Sequence, residues 1–260
     1  MKIKCLRIFA GPNGSGKSTF IAGVQAKPPV KNFKLGLYVN ADDIEKELKK
    51  TKKMPFSAFG IEVSTSEIKR YFKKSTFAPV KLKLPDLWKY FSVENNILKI
   101  EKELKINSYV AADIAEFIRV QILRSDQSFS YETVMSDERK IAFLRKAKRA
   151  GYRIYLYFFC TEDPMLNVGR VQSRVAQDGH NVNKETIEKR YFKSLQNLLP
   201  AIKLSHRAYL FDNSKQVSVL IAEITKGKQV SLVYPELVPG WFVDYVFNKS
   251  KTEKSVKRQK

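Results

Sequence analysis

The string GPNGSGKST, Gly11 to Thr19, sits between the apolar run IKCLRIFA and the amphipathic run FIAGVQ. It fits G-x-x-x-x-G-K-S/T in the context that gives the motif meaning, a strand before it and a helix after it. Gly14 and Gly16 let the backbone turn tightly, so that successive N–H groups point at phosphate oxygens. In this reading Gly11, Pro12, Asn13, Gly14, Ser15, Gly16, Lys17, Ser18 and Thr19 cradle a nucleoside triphosphate. Lys17 reaches the β and γ phosphates, Ser18 ligates Mg²⁺, and the helix N-terminus adds its positive end. ATP and Mg²⁺ are the ligands expected.

The rest of the chain alternates strand and helix patterns, which predicts an α/β fold with a parallel sheet flanked by helices. Strands are expected at 3–10, 35–40, 128–135, 152–160 and 207–214. Helices are expected from Lys17 to Gln25, over ADDIEKELKKTKK, over NSYVAADIAEFIRVQILRSDQ with its stripe Val110, Ile114, Phe117, Ile118 and Ile122, and over SDERKIAFLRKAKRAG. Pro28 and Pro29 should break the first of these. A further helix has Asp163 as cap, Pro164 in first place and Gly179 as terminator. The next begins at Asn183 and is interrupted or ended by Pro200. LIAEITKGKQVSLVY reads as a C-terminal hairpin turning at Gly227. Residues 51–106 are irregular and read as an insertion, with a hairpin turn at Asn95-Asn96. The expected organisation is one kinase-like domain over 1–248 and a basic, disordered tail over 249–260.

Forty-eight Lys and Arg against 26 Asp and Glu give a net charge of +22. Such an excess attracts polyanions, nucleic acid first among them. The basic residues alternate with acidic ones, however, as in EKELKKTKK, which favours a solvated basic surface over a reading groove. Cys5 and Cys160 lie in apolar runs, as reduced buried thiols do. No apolar stretch reaches 18 residues and no signal peptide is read, so the expected location is the cytoplasm, with no membrane partner.

Ligands of open α/β sheets gather at the carboxyl ends of the strands. There the sequence places Asp42, after the second strand, and Glu132 with Thr133 in the third. Asp42 would accept the proton of an attacking hydroxyl or hold Mg²⁺ through water; the alternative is that Asp42 or Asp43 caps the next helix. Glu132 in an apolar strand needs a partner, either substrate hydroxyls or the metal, unless it faces outward. Arg170 and Arg174 share a helix face, Arg190 lies on the next helix, and QDGHNVNK between them would make a lid. His180 in that linker reads as a turn residue.

The stretches IFAGPNGSGKST, YVNADDI, SFSYETVMS, GYRIYLYFF and the lid run from Arg170 to Ser214 resemble the zeta-toxin-like family of P-loop kinases, over about residues 3–50 and 107–215. The resemblance implies an adenylate-kinase-like core using ATP and Mg²⁺. It makes Asp42 the base for the acceptor hydroxyl, and Glu132 and Thr133 the substrate segment, with one residue fewer than the family's Glu-x-Thr. Arg174 and Arg190 become phosphate contacts. It also implies a small-molecule acceptor such as UDP-N-acetylglucosamine, and an antitoxin protein as partner. Met135 and Ser136 stand where the family has a basic residue, and 51–106 has no counterpart. Two other functions fit the sequence: a kinase of nucleic-acid ends, and a nucleotide-gated ATPase or DNA-binding regulator without an acceptor.

Overall fold

A computed structural model describes residues 3–26, 33–175 and 182–250. In chain order its elements are β1 (Cys5–Ala10), α1 (Lys17–Ala26), β2 (Leu37–Val39), α2 (Ala41–Thr51), β3 (Lys53–Pro55), α3 (Thr65–Lys74), α4 (Ala78–Lys81), β4 (Phe91–Glu94) and β5 (Ile97–Ile100). There follow α5 (Ser108–Arg124), β6 (Phe129–Thr133), α6 (Glu138–Arg149), β7 (Arg153–Cys160), α7 (Pro164–Val175), α8 (Lys184–Gln196), α9 (Leu198–Leu204), β8 (Arg207–Asp212), β9 (Val219–Thr225) and β10 (Gln229–Leu232). The chain forms two compact units, Met1–Lys34 with Glu132–Lys260, and Leu35–Tyr131.

The first unit is a mixed α/β layer. Its strands run in the order β10-β9-β8-β7-β1, with β1, β7 and β8 parallel and β9 and β10 closing antiparallel. β7 is apolar nearly throughout, as a strand covered on both faces must be. An aromatic ladder ties the sheet to α1: Phe159 stacks on Phe211 with centroids 4.7 Å apart. Phe20 of α1 lies 4.9 Å from Phe159 and 5.3 Å from Phe211. One turn of α1 therefore sits on the core, and its preceding residues, Lys17 and Ser18, are held at the strand ends. The hairpin at Gly227 forms as expected, with Lys226 and Gly227 at φ 51° and 66°.

In the second unit β2 and β6 pair in parallel, and α2 packs against α5. The residues of the irregular segment build a three-stranded antiparallel sheet, β3-β5-β4. Asn95 and Asn96 turn the β4–β5 hairpin at φ 50° and 60°, the conformation that favours Asn and Gly there.

Three local expectations change. The cap of α2 is Asn40, whose side chain accepts the Asp42 N–H at 2.8 Å, so neither Asp42 nor Asp43 caps. Pro200 neither interrupts nor ends α8, which stops at Gln196; it lies in the first turn of α9, where a missing N–H costs nothing. Cys5 is half-buried rather than buried, whereas Cys160 is buried; neither is in a disulfide among the described residues. Pro28, Pro29, Gly179, His180 and residues 251–260 of the tail lie outside the described residues.

A phosphate-binding loop with a carboxylate over it

The loop between β1 and α1 has the geometry its glycines promise. Gly11, Gly14 and Gly16 take φ of 140°, 73° and 90°, values closed to side-chain-bearing residues without strain. At Gly16 there is a second reason for glycine: a Cβ there would run into the Asn213 amide. The Lys17 side chain is 5% exposed and lies 3.9 Å from Glu132 Oε1. Its Nζ donates to the Pro12 carbonyl at 2.8 Å. The Ser18 hydroxyl stands 3.0 and 3.1 Å from the two Glu132 oxygens.

Glu132, at the carboxyl end of β6, thus meets both side chains expected to handle phosphate and metal, and the outward-facing alternative is gone. Thr133 has a contact of its own, which leaves its hydroxyl proton able to donate. Its Oγ1 accepts the Met135 N–H at 3.2 Å, supporting a turn in which Met135 has φ 59°. The turn is also held from α8 and its C-cap: Ser194 Oγ donates to the Val134 carbonyl, and the Asn197 amide just past the helix donates to that of Met135 at 2.9 Å.

Two asparagines absent from the sequence reading grip the loop from behind. Asn167 of α7 donates its amide to the Asn13 carbonyl at 2.6 Å and accepts from the Thr161 hydroxyl. Asn213, just past β8, donates to the Ser15 carbonyl at 2.9 Å. Within the loop the Ser15 N–H donates to the Pro12 carbonyl at 3.3 Å, a long bond that a phosphate oxygen could replace. Lone asparagines 154 and 198 residues from their partners leave no local signal in the sequence.

Arg174 is exposed and Arg190 half-exposed, and neither makes a hydrogen bond or ion pair among the described residues. They sit on α7 and α8, which pack through Val168, Val171 and Ile187. Arg170 spends one nitrogen on the Lys215 carbonyl at 3.4 Å, while its buried Nη1 has no partner among the described residues. Asp42 is exposed in the first turn of α2, in the second unit. Next to it, Asp43 has its pKa raised, by burial and by the Asp42 charge.

The loop fits a triphosphate on three counts: its glycine cradle, the buried lysine, and a buried Ser15 hydroxyl that has no hydrogen-bond partner among the described residues. The Ser18 hydroxyl and Glu132 carboxylate are hard oxygen donors of the kind Mg²⁺ takes. Among the described residues no three His, Cys, Asp or Glu side chains gather, so the metal would share its shell with phosphates and water, as Mg²⁺ commonly does.

Fold and loop together define a P-loop α/β protein. Comparison with solved structures agrees at the level of fold. A chain of the AvrRxo1-ORF1:ORF2 complex superposes with a TM-score of 0.55 at 14% identity, over 90% of this chain and 62% of that one. The same complex with sulphate ions gives 0.51 at 15%, over 90% and 62%. A chain of the PezAT toxin-antitoxin system of Streptococcus pneumoniae gives 0.47 at 12%, over 100% and 87%. The protein therefore spans about 62% of the AvrRxo1 chain it matches. No protein-family model and no curated protein matches the sequence. Among the described residues no helix is long and apolar enough to cross a membrane.

Proposed function

We propose that the protein is an ATP-dependent phosphotransferase that moves the γ-phosphoryl group to a hydroxyl of a small molecule. The observation that carries the reading is the Glu132 carboxylate seated on Ser18 and beside Lys17 at the mouth of the glycine loop. On ATP binding, the Lys17 ammonium exchanges the Pro12 carbonyl for β and γ phosphate oxygens, and the loop amides hold the β phosphate. Ser18 and Glu132 hold Mg²⁺, which supplies charge neutralisation on the phosphates. This role for Glu132 replaces that of positioning the acceptor. Asp42 takes the proton of the attacking hydroxyl, and Arg174 and Arg190 offset charge on the group in transfer. The acceptor class is carried by the zeta-toxin-like resemblance, which points to a nucleotide-activated sugar and to control by an antitoxin. The likeness to the AvrRxo1-ORF1:ORF2 complex lends the fold alone, not the substrate or the partner.

The test is incubation with γ-labelled ATP and a metabolite extract. The parent should label a small molecule, Lys17→Ala should not bind ATP, and Asp42→Ala should bind ATP while transfer falls by about 10²–10⁴, the span of a lost general base. Label found solely as free phosphate, with Asp42→Ala equal to the parent, would end the kinase reading. A nucleic-acid end as acceptor is the second reading, favoured by the +22 charge.

A further inference from the structure

Positive charge in the second unit is concentrated in one place. From Lys69 to Lys89 there are seven Lys and Arg and a single acidic residue, Asp86; the rest of that unit has ten basic residues against twelve acidic. Within this stretch three ammonium groups converge on one indole. Lys73 lies 4.0 Å from the Trp88 ring centroid, with Lys89 at 5.7 Å and Lys69 at 5.9 Å. Lys89 is answered by Asp86 at 2.6 Å, and the same carboxylate acts at longer range on Lys73, but neither Lys69 nor Lys73 has a carboxylate within 4 Å among the described residues. They are one helical turn apart on α3, whose N-terminus is fixed by a capping box from Ser64 and Glu67. Like charges so spaced repel unless an anion lies between them. The same segments border an open depression of about 350 Å³, lined by Phe72, Ser75, Pro79, Val80, Lys83 and Pro85. Val80 there is 65% exposed.

We infer that this stretch, with the lysine-ringed Trp88 and the apolar depression its segments line, binds single-stranded nucleic acid. Phosphates lie on Lys69, Lys73 and Lys83, and an unpaired base enters the depression. An acidic peptide would use the lysines but leave the apolar well empty, and a duplex keeps its bases stacked inside; a single strand offers both a charged backbone and free apolar faces. The inference is independent of phosphoryl transfer.

The experiment is fluorescence anisotropy of the full chain with a labelled 20-nucleotide single strand, titrated with salt and without nucleotide. Three phosphate contacts predict a slope of log K against log salt near about −2. Lys69→Gln/Lys73→Gln should weaken binding about tenfold or more and cut the slope by about 1.4. Trp88→Ala, which removes the ring that gathers Lys69, Lys73 and Lys89, should weaken it about as much as the lysine pair does. An equal-charge change elsewhere, Arg145→Gln/Lys146→Gln on α6, should do neither. The lysine pair is exposed or half-exposed, so it reads the face even if Trp88→Ala disturbs folding. Equal losses from the α6 control, displacement by polyglutamate at equal charge concentration, tighter binding of duplex than of single strand, or no binding at 50 mM salt would each overturn the inference.

Discussion

At the scale of the residue, the loop's shape rests on its glycines and on the side chains that reach it from distant elements. Gly16→Ala should abolish nucleotide binding, since it combines a forbidden φ with a collision against Asn213; a fluorescent ATP analogue would show it. Asn213→Asp keeps the shape but places a carboxylate against the Ser15 carbonyl and near incoming phosphate. Its ATP affinity should fall by at least tenfold, more than its melting temperature explains, while Asn213→Gln serves as the size control. Burial raises the Cys160 thiol pKa far above its ordinary value, so a thiol reagent at pH 8 should modify Cys5 first and reach Cys160 only on unfolding. The glycines and Lys17 could be assigned from sequence because their chemistry is local. Glu132 could be suspected, as a charge in an apolar strand, but its partner could not, since Ser18 is 114 residues away.

At the scale of the element, capping and turn chemistry were largely readable. The cap of α7 by Asp163, which accepts the Met165 N–H at 2.7 Å, the cap of α8 by Asn183 and that of α6 by Asp137 all follow short-range patterns. In the β4–β5 turn, however, the two asparagines are alike in sequence and unlike in structure. Asn96 also accepts the Val63 N–H at 3.0 Å and donates to the Ile61 carbonyl at 2.8 Å. Asn95→Gly should therefore leave stability nearly unchanged, whereas Asn96→Gly should cost about 1–3 kcal/mol in chemical denaturation, the penalty of the unpaired groups it leaves. The α3 cap gives a pH signature. The Ser64 N–H holds the Glu67 carboxyl below its ordinary 4.5. Its contribution is complete above about pH 4.5 and fades as the pH falls through the depressed value. Melting temperature measured from pH 6 to 3 should drop less in Glu67→Gln than in the parent.

At the scale of the whole molecule, the first unit is assembled from two stretches of chain separated by the second. β1 must find β7 across about 150 residues, Cys5 aligning with Arg153, and such distant pairing slows folding. Refolding followed by fluorescence should contain a phase of milliseconds or longer, and Leu156→Ala, which weakens this pairing, should slow or destabilise it without shifting the β4–β5 hairpin's own melting. The alternation of strands and helices, the phosphate loop, the hairpins at Asn95-Asn96 and Gly227 and most helix starts were set by the sequence alone, because propensity, capping and hydrophobic period act over a few residues. Which distant side chains close on the loop was settled by the tertiary structure alone: Glu132 on Ser18, Asn167 and Asn213 behind the glycines, three lysines around Trp88. Those meetings depend on strand register and helix packing, whose energies are sums over the entire core and leave no mark at the residues they bring together.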